Sequence, residues 1–314
     1  MIRKYVLKRL LVAIPSLLIA SVIVFSLSRL IPGDVVVLMM QENQYASDVE
    51  AMREKLGLNR PIHAQYLHWM AQIARGDLGQ SLYTSRPVVQ ELAKKVPVSL
   101  ELGAVAVFFA ILVGVPIGIL AAVRQDTVGD YAARSGAILG LSVPGFWLGT
   151  LVVVLPAIYW GWSPSIKFIR FGDDPWGHLA QFLIPGFLLG IASAASIMRL
   201  TRTQLLEVLR QDYVRTAWSK GLGERLVVLK HSLKNALIPV VTVLGIQIAQ
   251  VLSGTVIFES IFGLPGMGRF LFDAITERDY PVIQGINLVV VTTVVTVNLL
   301  VDVVYAYLDP RIRY

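Results

Sequence analysis

The sequence predicts an all-α polytopic membrane helix bundle, and three observations carry that expectation. Hydrophobic residues make up 55% of the 314 positions and charged residues only 16%, against about 25% charged in a soluble domain. Mean hydropathy is +0.65. Six runs reach the roughly 20 apolar residues that a spanning helix needs: about 10–31, 99–123, 132–160, 181–198, 237–262 and 284–308. The absence of cysteine excludes disulfides, thiolate metal sites and cysteine nucleophiles. The net charge of +7 raises nucleic acid as a partner. The basic residues flank apolar runs, however, so the positive-inside tendency of membrane proteins accounts for them and no nucleic acid is expected.

The first run follows Arg3, Lys4, Lys8 and Arg9. It is too long for the apolar core of a signal peptide, and no clear cleavage site follows, so it is expected to stay as an anchor. Residues 1–31 thus form a cytoplasmic tail and first span. Residues 32–98 form a long loop on the outer side, with seven basic and seven acidic residues. Ser47-Asp48-Val49-Glu50 predicts a capping box opening a short helix, which Gly57 ends. Pro61 suits the first turn of a second helix. Ile62, Tyr66, Met70 and Ile73 give it an apolar stripe, and Gly76 closes it. A small helical cap is expected there, too small for a large core of its own.

Residues 99–314 form a five-helix core. Gly114/Gly118, Gly136/Gly140, Gly145/Gly149 and Gly186/Gly190 each make a G-x-x-x-G pair, the spacing that lets helices approach closely in lipid. Pro116, Pro144 and Pro185 are positioned to kink their helices. Lys and Arg set the orientation. Eight lie between Arg199 and Lys234, and Arg311 and Arg313 follow the last run. Both termini are therefore expected in the cytoplasm.

The chain lacks H-E-x-x-H and a phosphate-cradling G-x-x-x-x-G-K-[ST]. His63, His68, His178 and His231 fall in or next to polar loops without metal-ligand spacing. No Ser/His/Asp, Ser/Lys or paired-Asp set within the runs supports a membrane-embedded hydrolase. An ion-coupled carrier or channel requires charges deep in the spans. Asp302 is the best placed. It is either a coupling carboxylate or, the reading favoured here, a near-interface acid satisfied by an Arg or Lys of the basic cytoplasmic segments. Glu101 and Glu259 are expected at the outer interface. Gln247, Gln250 and Asn298 either line a translocation path or join helices by hydrogen bonds.

The stretch DYVRTAWSKGLGERLVVLKHSLKNALIP, residues 212–239, has the strongest local pattern. Leu206, Leu209, Tyr213 and Ala217 share one helical face, and Leu226, Leu229, Leu233 and Leu237 share another. Gly221 suits a left-handed stop between two helices. Gly223 and Glu224 suit the start of the second, with the acid near the positive helix end. The pattern fits a basic hairpin lying on anionic lipid. It fits equally a compact docking knob that passes motion to the flanking spans.

The whole chain resembles ABC importer permeases of the dipeptide/oligopeptide/nickel branch. The resemblance rests on Arg29-Leu30-Ile31-Pro32-Gly33-Asp34 and Arg75-Gly76-Asp77-Leu78-Gly79. It continues with Pro144-Gly145-Phe146-Trp147-Leu148-Gly149 and the run from Phe258 through Glu259 to Gly268. Asp279-Tyr280-Pro281 and Leu308-Asp309-Pro310-Arg311 complete it. The stretch at about 199–236 matches that family's cytoplasmic EAA loop. The general pattern is Glu-Ala-Ala, three residues, then Gly; here only Ala217 and Gly221 match. The resemblance implies the type I importer transmembrane fold and a role as permease subunit, not enzyme. It implies ATPase coupling through Arg215, Thr216, Ala217, Trp218, Lys220, Gly221, Leu222, Gly223, Glu224 and Arg225. It also implies a related second permease, two ABC ATPase subunits holding ATP and Mg, and an extracytoplasmic binding protein. No cofactor is expected on this chain, whose setting would be a prokaryotic cytoplasmic membrane. Peptides are the expected substrate; nickel complexes, glutathione and other small solutes occur in the same branch.

Overall fold

The computed structural model describes residues 2–30, 54, 59–165 and 167–308. The expected capping box at Ser47, the stop at Gly57 and the motif residues Ile31–Asp34 and Asp309–Arg311 lie outside them. The described residues form helices α1 (Ile2–Leu30), α2 (Ile62–Ala74), α3 (Val88–Val123), α4 (Val128–Ser142), α5 (Gly145–Trp160), α6 (Pro175–Leu209) and α7 (Asp212–Ser219). A short turn at Glu224–Leu226 and a π-helical stretch at Val227–Ser232 lead into α8 (Leu233–Phe262). Helices α9 (Met267–Glu277) and α10 (Tyr280–Leu308) follow. Five helices are long and apolar enough to cross a membrane, and two bent pairs pass the same test jointly. The all-helical membrane bundle expected from composition is therefore what the chain forms.

The third expected span is not one straight helix. Helices α4 and α5 meet at 86°. Val143 is extended and Pro144 is the N-cap of α5, because proline disfavours helix in the residue before it and cannot donate to the turn behind. The second span also starts earlier than hydropathy alone suggests. Helix α3 begins at Val88, inside the expected cap, and runs on without interruption. Hydropathy marks only the apolar part of such a helix, since Glu91, Lys94 and Lys95 occupy its first turns.

Helices α3 and α6 form the central pair, and glycine sets their separation. A Cβ on Gly114 or Gly118 would lie 2.7 Å from the Ala194 or Met198 carbonyl oxygen of α6. A Cβ on Gly186 or Gly190 would collide with the Val105 side chain or the Ala106 carbonyl oxygen of α3. Both G-x-x-x-G pairs therefore face the same interface, as close packing in lipid requires. Gly145 and Gly149 lie against the Phe258 ring, whereas Gly136 faces open space, so the Gly136/Gly140 pair is not a two-residue contact. Buried Ala110, Ala194, Ile197 and Val240 tie α8 into this pair.

At the end opposite α7, two buried acids organise the irregular backbone. Glu259 is fully buried, not interfacial as expected. Its Oε1 accepts from Ser99 Oγ at 2.5 Å and its Oε2 from the Arg269 N–H at 2.9 Å. Ser99 Oγ in turn accepts from the Met267 N–H at 2.8 Å. Two donors of the first turn of α9 are thus satisfied from other helices, where a helix otherwise leaves them orphaned. Gly263, at φ +68°, ends α8, and the chain turns by 90° into α9. Asp279, 2% exposed, accepts from Ser81 Oγ at 2.5 Å and ties the 79–87 loop to the start of α10. His178 is buried too, although a loop position was expected. Its Nδ1 lies 2.8 Å from the Ile169 carbonyl and its Nε2 2.8 Å from Glu101 Oε1.

Helix α2 packs on α1 through Tyr66, whose hydroxyl is 2.8 Å from Ser21 Oγ, and through Phe25 with Tyr66 and Trp69. Tyr66, Met70 and Ile73 are half-buried as the stripe predicts, but Ile62 is exposed. Gly76, at φ +78°, follows the helix end. Arg9 Nη1 lies 3.1 Å from Asp302 Oδ2, joining α1 to α10. This is the satisfied-acid reading of Asp302. The pair is partly exposed and so contributes little to stability. Asp302→Asn is expected to leave solute uptake within about two-fold of the wild type, because such pairs are weakly coupled to the rest of a fold. Uptake in reconstituted vesicles with and without a proton gradient checks this; loss of a gradient-driven component would restore the coupling-carboxylate reading.

Candidate functional site: the basic hairpin

The 212–239 stretch forms the helix–turn–helix that its sequence predicts, with a different internal phase. Helix α6 ends at Leu209, and Gln211 is extended at the start of α7. That break resets the helical register. Val214 and Ala217 are buried, and Tyr213 is exposed. Val214 and Ala217 pack with Val227, and Val208, Leu209 and Leu222 complete the cluster. Sequence periodicity carried the α6 face across Arg210 and so put Tyr213 inside. The Tyr213 hydroxyl instead accepts from Asn235 Nδ2 at 2.9 Å, bracing α7 against α8.

Gly221 is left-handed, at φ +75°. Its N–H donates to the Trp218 carbonyl at 2.9 Å, and the Lys220 N–H to the Thr216 carbonyl at 3.2 Å. These bonds satisfy two of the carbonyls that a helix end leaves free. Gly223 is extended, at φ −64°, and its carbonyl accepts from the N–H groups of Leu226 and Val227. The two glycines therefore differ: only the first needs a conformation that L residues avoid.

Past the turn, the leucine face expected at 226, 229, 233 and 237 is not the buried one. Leu226 and Leu229 are exposed, whereas Val227, Val228, Ser232 and Ala236 are buried. The cause is the π-helical stretch at 227–232. A wider turn adds a residue and shifts the phase, so a 3.6-residue extrapolation from Leu226 points outward. Ser232 Oγ donates to the Val227 carbonyl, five residues back, at 3.0 Å.

The sequence-predicted coupling residues fall into two sets. Ala217 and Leu222 serve the inner cluster. Arg215, Thr216, Trp218, Lys220, Gly221, Gly223, Glu224 and Arg225 are exposed. Arg215 Nη1 reaches Asp212 Oδ1 only at 3.4 Å. The outer surface is thus a short helix carrying an arginine, a lysine and a tryptophan, residue types that dominate binding hot spots in the case of Trp and Arg. It is built to bind, and it contains no nucleophile–base pair. The three polar span residues do not share one environment. Gln247 is buried with its Oε1 lacking a hydrogen-bond partner among the described residues, whereas Gln250 and Asn298 are exposed.

A side-chain cluster missed at the sequence level lies beside this hairpin. Asp130, on α4, is 1% exposed. Arg202 of α6 donates to it twice, Nε to Oδ1 and Nη2 to Oδ2, both at 2.7 Å. The Asp126 N–H donates to Oδ2 at 3.0 Å, and Arg134 Nε lies 3.4 Å from Oδ1. The two partners are far apart in sequence, and nothing local in the chain pairs them.

The fold and a basic knob without reactive groups define a membrane transport component, and the comparisons agree. A chain of the MetNI methionine ABC transporter, solved in inward-facing conformations, superposes with a TM-score of 0.53 over 69% of this chain and 96% of its own, at 17% identity. That likeness establishes a shared fold. Residues 114–314 match the family described as the binding-protein-dependent transport system inner membrane component, and residues 1–103 match its N-terminal family. The dipeptide transport system permease protein DppB of Escherichia coli K12 is 38% identical, with 99% of both chains covered. The protein of the same description from Alkalihalophilus pseudofirmus is 40% identical, again over 99% of both chains. The chain belongs to the family of inner-membrane permease components of binding-protein-dependent ABC transport systems, as its motifs suggested.

Proposed function

We propose that this chain is the permease subunit of an ATP-driven importer that passes dipeptides or oligopeptides across the cytoplasmic membrane. The observation that carries the substrate class is the end-to-end similarity to dipeptide permeases. The hairpin supports the coupling. Helix α7, held from behind by Val214, Ala217 and Val227, docks in a groove of a separate ATP-hydrolysing subunit. Arg215, Trp218 and Lys220 face that subunit, and Gly221 fixes the angle at which the helix is presented. Two such subunits, binding ATP and Mg, close on each other and carry the docked helices with them. The spans then alternate between inward- and outward-facing states. A second, related permease completes the path. A binding protein delivers peptide from outside, and both termini of this chain lie in the cytoplasm.

The test is purification of the tagged chain from its native membrane in mild detergent, with mass spectrometry of its companions, followed by uptake of a labelled dipeptide in vesicles. Co-purification of a second permease and P-loop ATPases, lost on disrupting residues 215–225, is the expected result. A chain recovered alone and still active without ATP would overturn the reading. Uptake of a nickel complex or glutathione in place of peptide would correct the substrate and leave the coupling in place.

A further inference from the structure

Helix α4 is held to α6 at two levels. At the hairpin end is the Asp130–Arg202 pair. Its carboxylate is buried and accepts both arms of one guanidinium plus a backbone N–H. Toward the α4–α5 bend, Ala137, Ala195 and Met198 form a buried cluster of their own. A Cβ placed on Gly140 would lie 3.7 Å from Ala195 Cβ. Arg202 sits about two turns before the end of α6, and α6 leads straight into α7. On its other side α4 ends at the 86° bend. The α4 helix therefore has one firm attachment, to the helix that carries the docking knob, and one break, at Val143–Pro144.

We propose that α4 and the cytoplasmic half of α6 form a single lever. Asp130 and Arg202 act as positioning residues that lock its two arms, so that displacement of α7 moves α4 as a body and the hinge falls at Val143–Pro144. The inference rests on the importer reading, since it concerns how that reading's docked helix drives the spans. A bidentate carboxylate–guanidinium pair suits the task. Its planar fork fixes orientation as well as distance, which a lysine does not. Burial keeps the pair from being loosened by salt. Leaving either charge buried alone is costly, so the arms resist separation through the cycle.

The chain has no cysteine, which makes a covalent test clean. Cβ atoms in disulfides lie about 3.5–4.5 Å apart, and the Gly140 position falls in that range with no atom closer to its Cβ than Ala195 Cβ. In the complete transporter, the pair Gly140→Cys with Ala195→Cys is oxidised and peptide uptake per ATP hydrolysed is measured, then measured again after reduction. A lever predicts the same ratio in both states. Uptake abolished by the cross-link and restored by reduction would show that α4 and α6 must part, and would overturn the proposal. The second arm adds Asp130→Asn. Without the cross-link the ratio is expected to fall about five-fold or more, with the ATPases still co-purifying. With the cross-link formed it should recover. An unchanged ratio in Asp130→Asn would remove its positioning role, as would a lowered ratio that the cross-link does not mend. Should Asp130→Asn fail to assemble, the cross-link in the otherwise unchanged chain decides alone. Failure of the importer reading looks different: the unmodified chain would then take up solute with no ATPase bound.

Discussion

Gly221→Val is expected to uncouple the transporter while leaving the chain in the membrane. The residue is at φ +75°, and a Cβ there meets nothing within 4 Å. Crowding is therefore not the cause of the effect; the backbone is. A non-glycine residue held in the left-handed region costs about 1–3 kcal/mol, at the upper end when β-branched. The turn has little to offset that cost. The cluster behind α7 has only Val214, Ala217 and Val227 fully buried, and the knob's outer face is solvent-exposed. Relaxing Gly221 to negative φ redirects the chain after Lys220 and turns α7 off its seat. ATPase co-purification and peptide uptake are expected to fall together by about ten-fold, near the equilibrium shift that 1.4 kcal/mol produces. Gly223→Ala is the matched control. That residue is at φ −64° with equally open space, so it should retain both properties. Equal loss in the two variants, or full uptake in Gly221→Val, would remove the role assigned to the turn.

The contrast between the two glycines shows which features the sequence exposes. Composition and apolar runs made the membrane class, the order of the spans and the hairpin between them readable, because each is a local property of consecutive residues. Gly221 was readable for the same reason. The errors arose where one local pattern was carried across a break. Tyr213 was assigned inward by continuing α6 past Arg210, and Leu226 and Leu229 by assuming 3.6 residues per turn through a π-helical stretch. Residues 132–160 looked like one span, since hydropathy does not register a change in axis, although Pro144 marked its position. Long-range pairs left no trace. Asp130 and Arg202 looked like ordinary loop-adjacent charges, and Glu259 like an interfacial acid, because burial of a charge is decided by elements distant in the chain. One sequence signal did point to Glu259: it lies in the same short run as Gly266 and Gly268, and each of these glycines is packed so closely that a side chain would not fit.

That crowding makes Glu259 the site of the second large effect. A Cβ on Gly266 would run into the Glu259 carboxylate, and one on Gly268 would lie 2.5 Å from Val256 Cα. The α8–α9 corner is therefore closed around the acid. Glu259→Leu removes the acceptor for Ser99 Oγ and for the Arg269 N–H, and both donors sit in or beside a buried cluster. An unsatisfied buried donor costs about 1–3 kcal/mol, so the pair amounts to a sizeable share of a stability of about 5–15 kcal/mol. Glu259→Gln is expected to do less harm. Its amide oxygen still accepts from Arg269, while its NH2 group meets Ser99 Oγ as a donor and leaves the serine proton without its acceptor. Gly266→Ala should resemble Glu259→Leu, since it evicts the same carboxylate. Thermal unfolding of the detergent-solubilised complex, followed by loss of its monodisperse elution peak, is expected to order the variants as wild type, Glu259→Gln, then Glu259→Leu together with Gly266→Ala. A Glu259→Leu protein as stable as the wild type would mean that α9 is held by its apolar contacts with α3 and α10 alone, and that the carboxylate does not cap it.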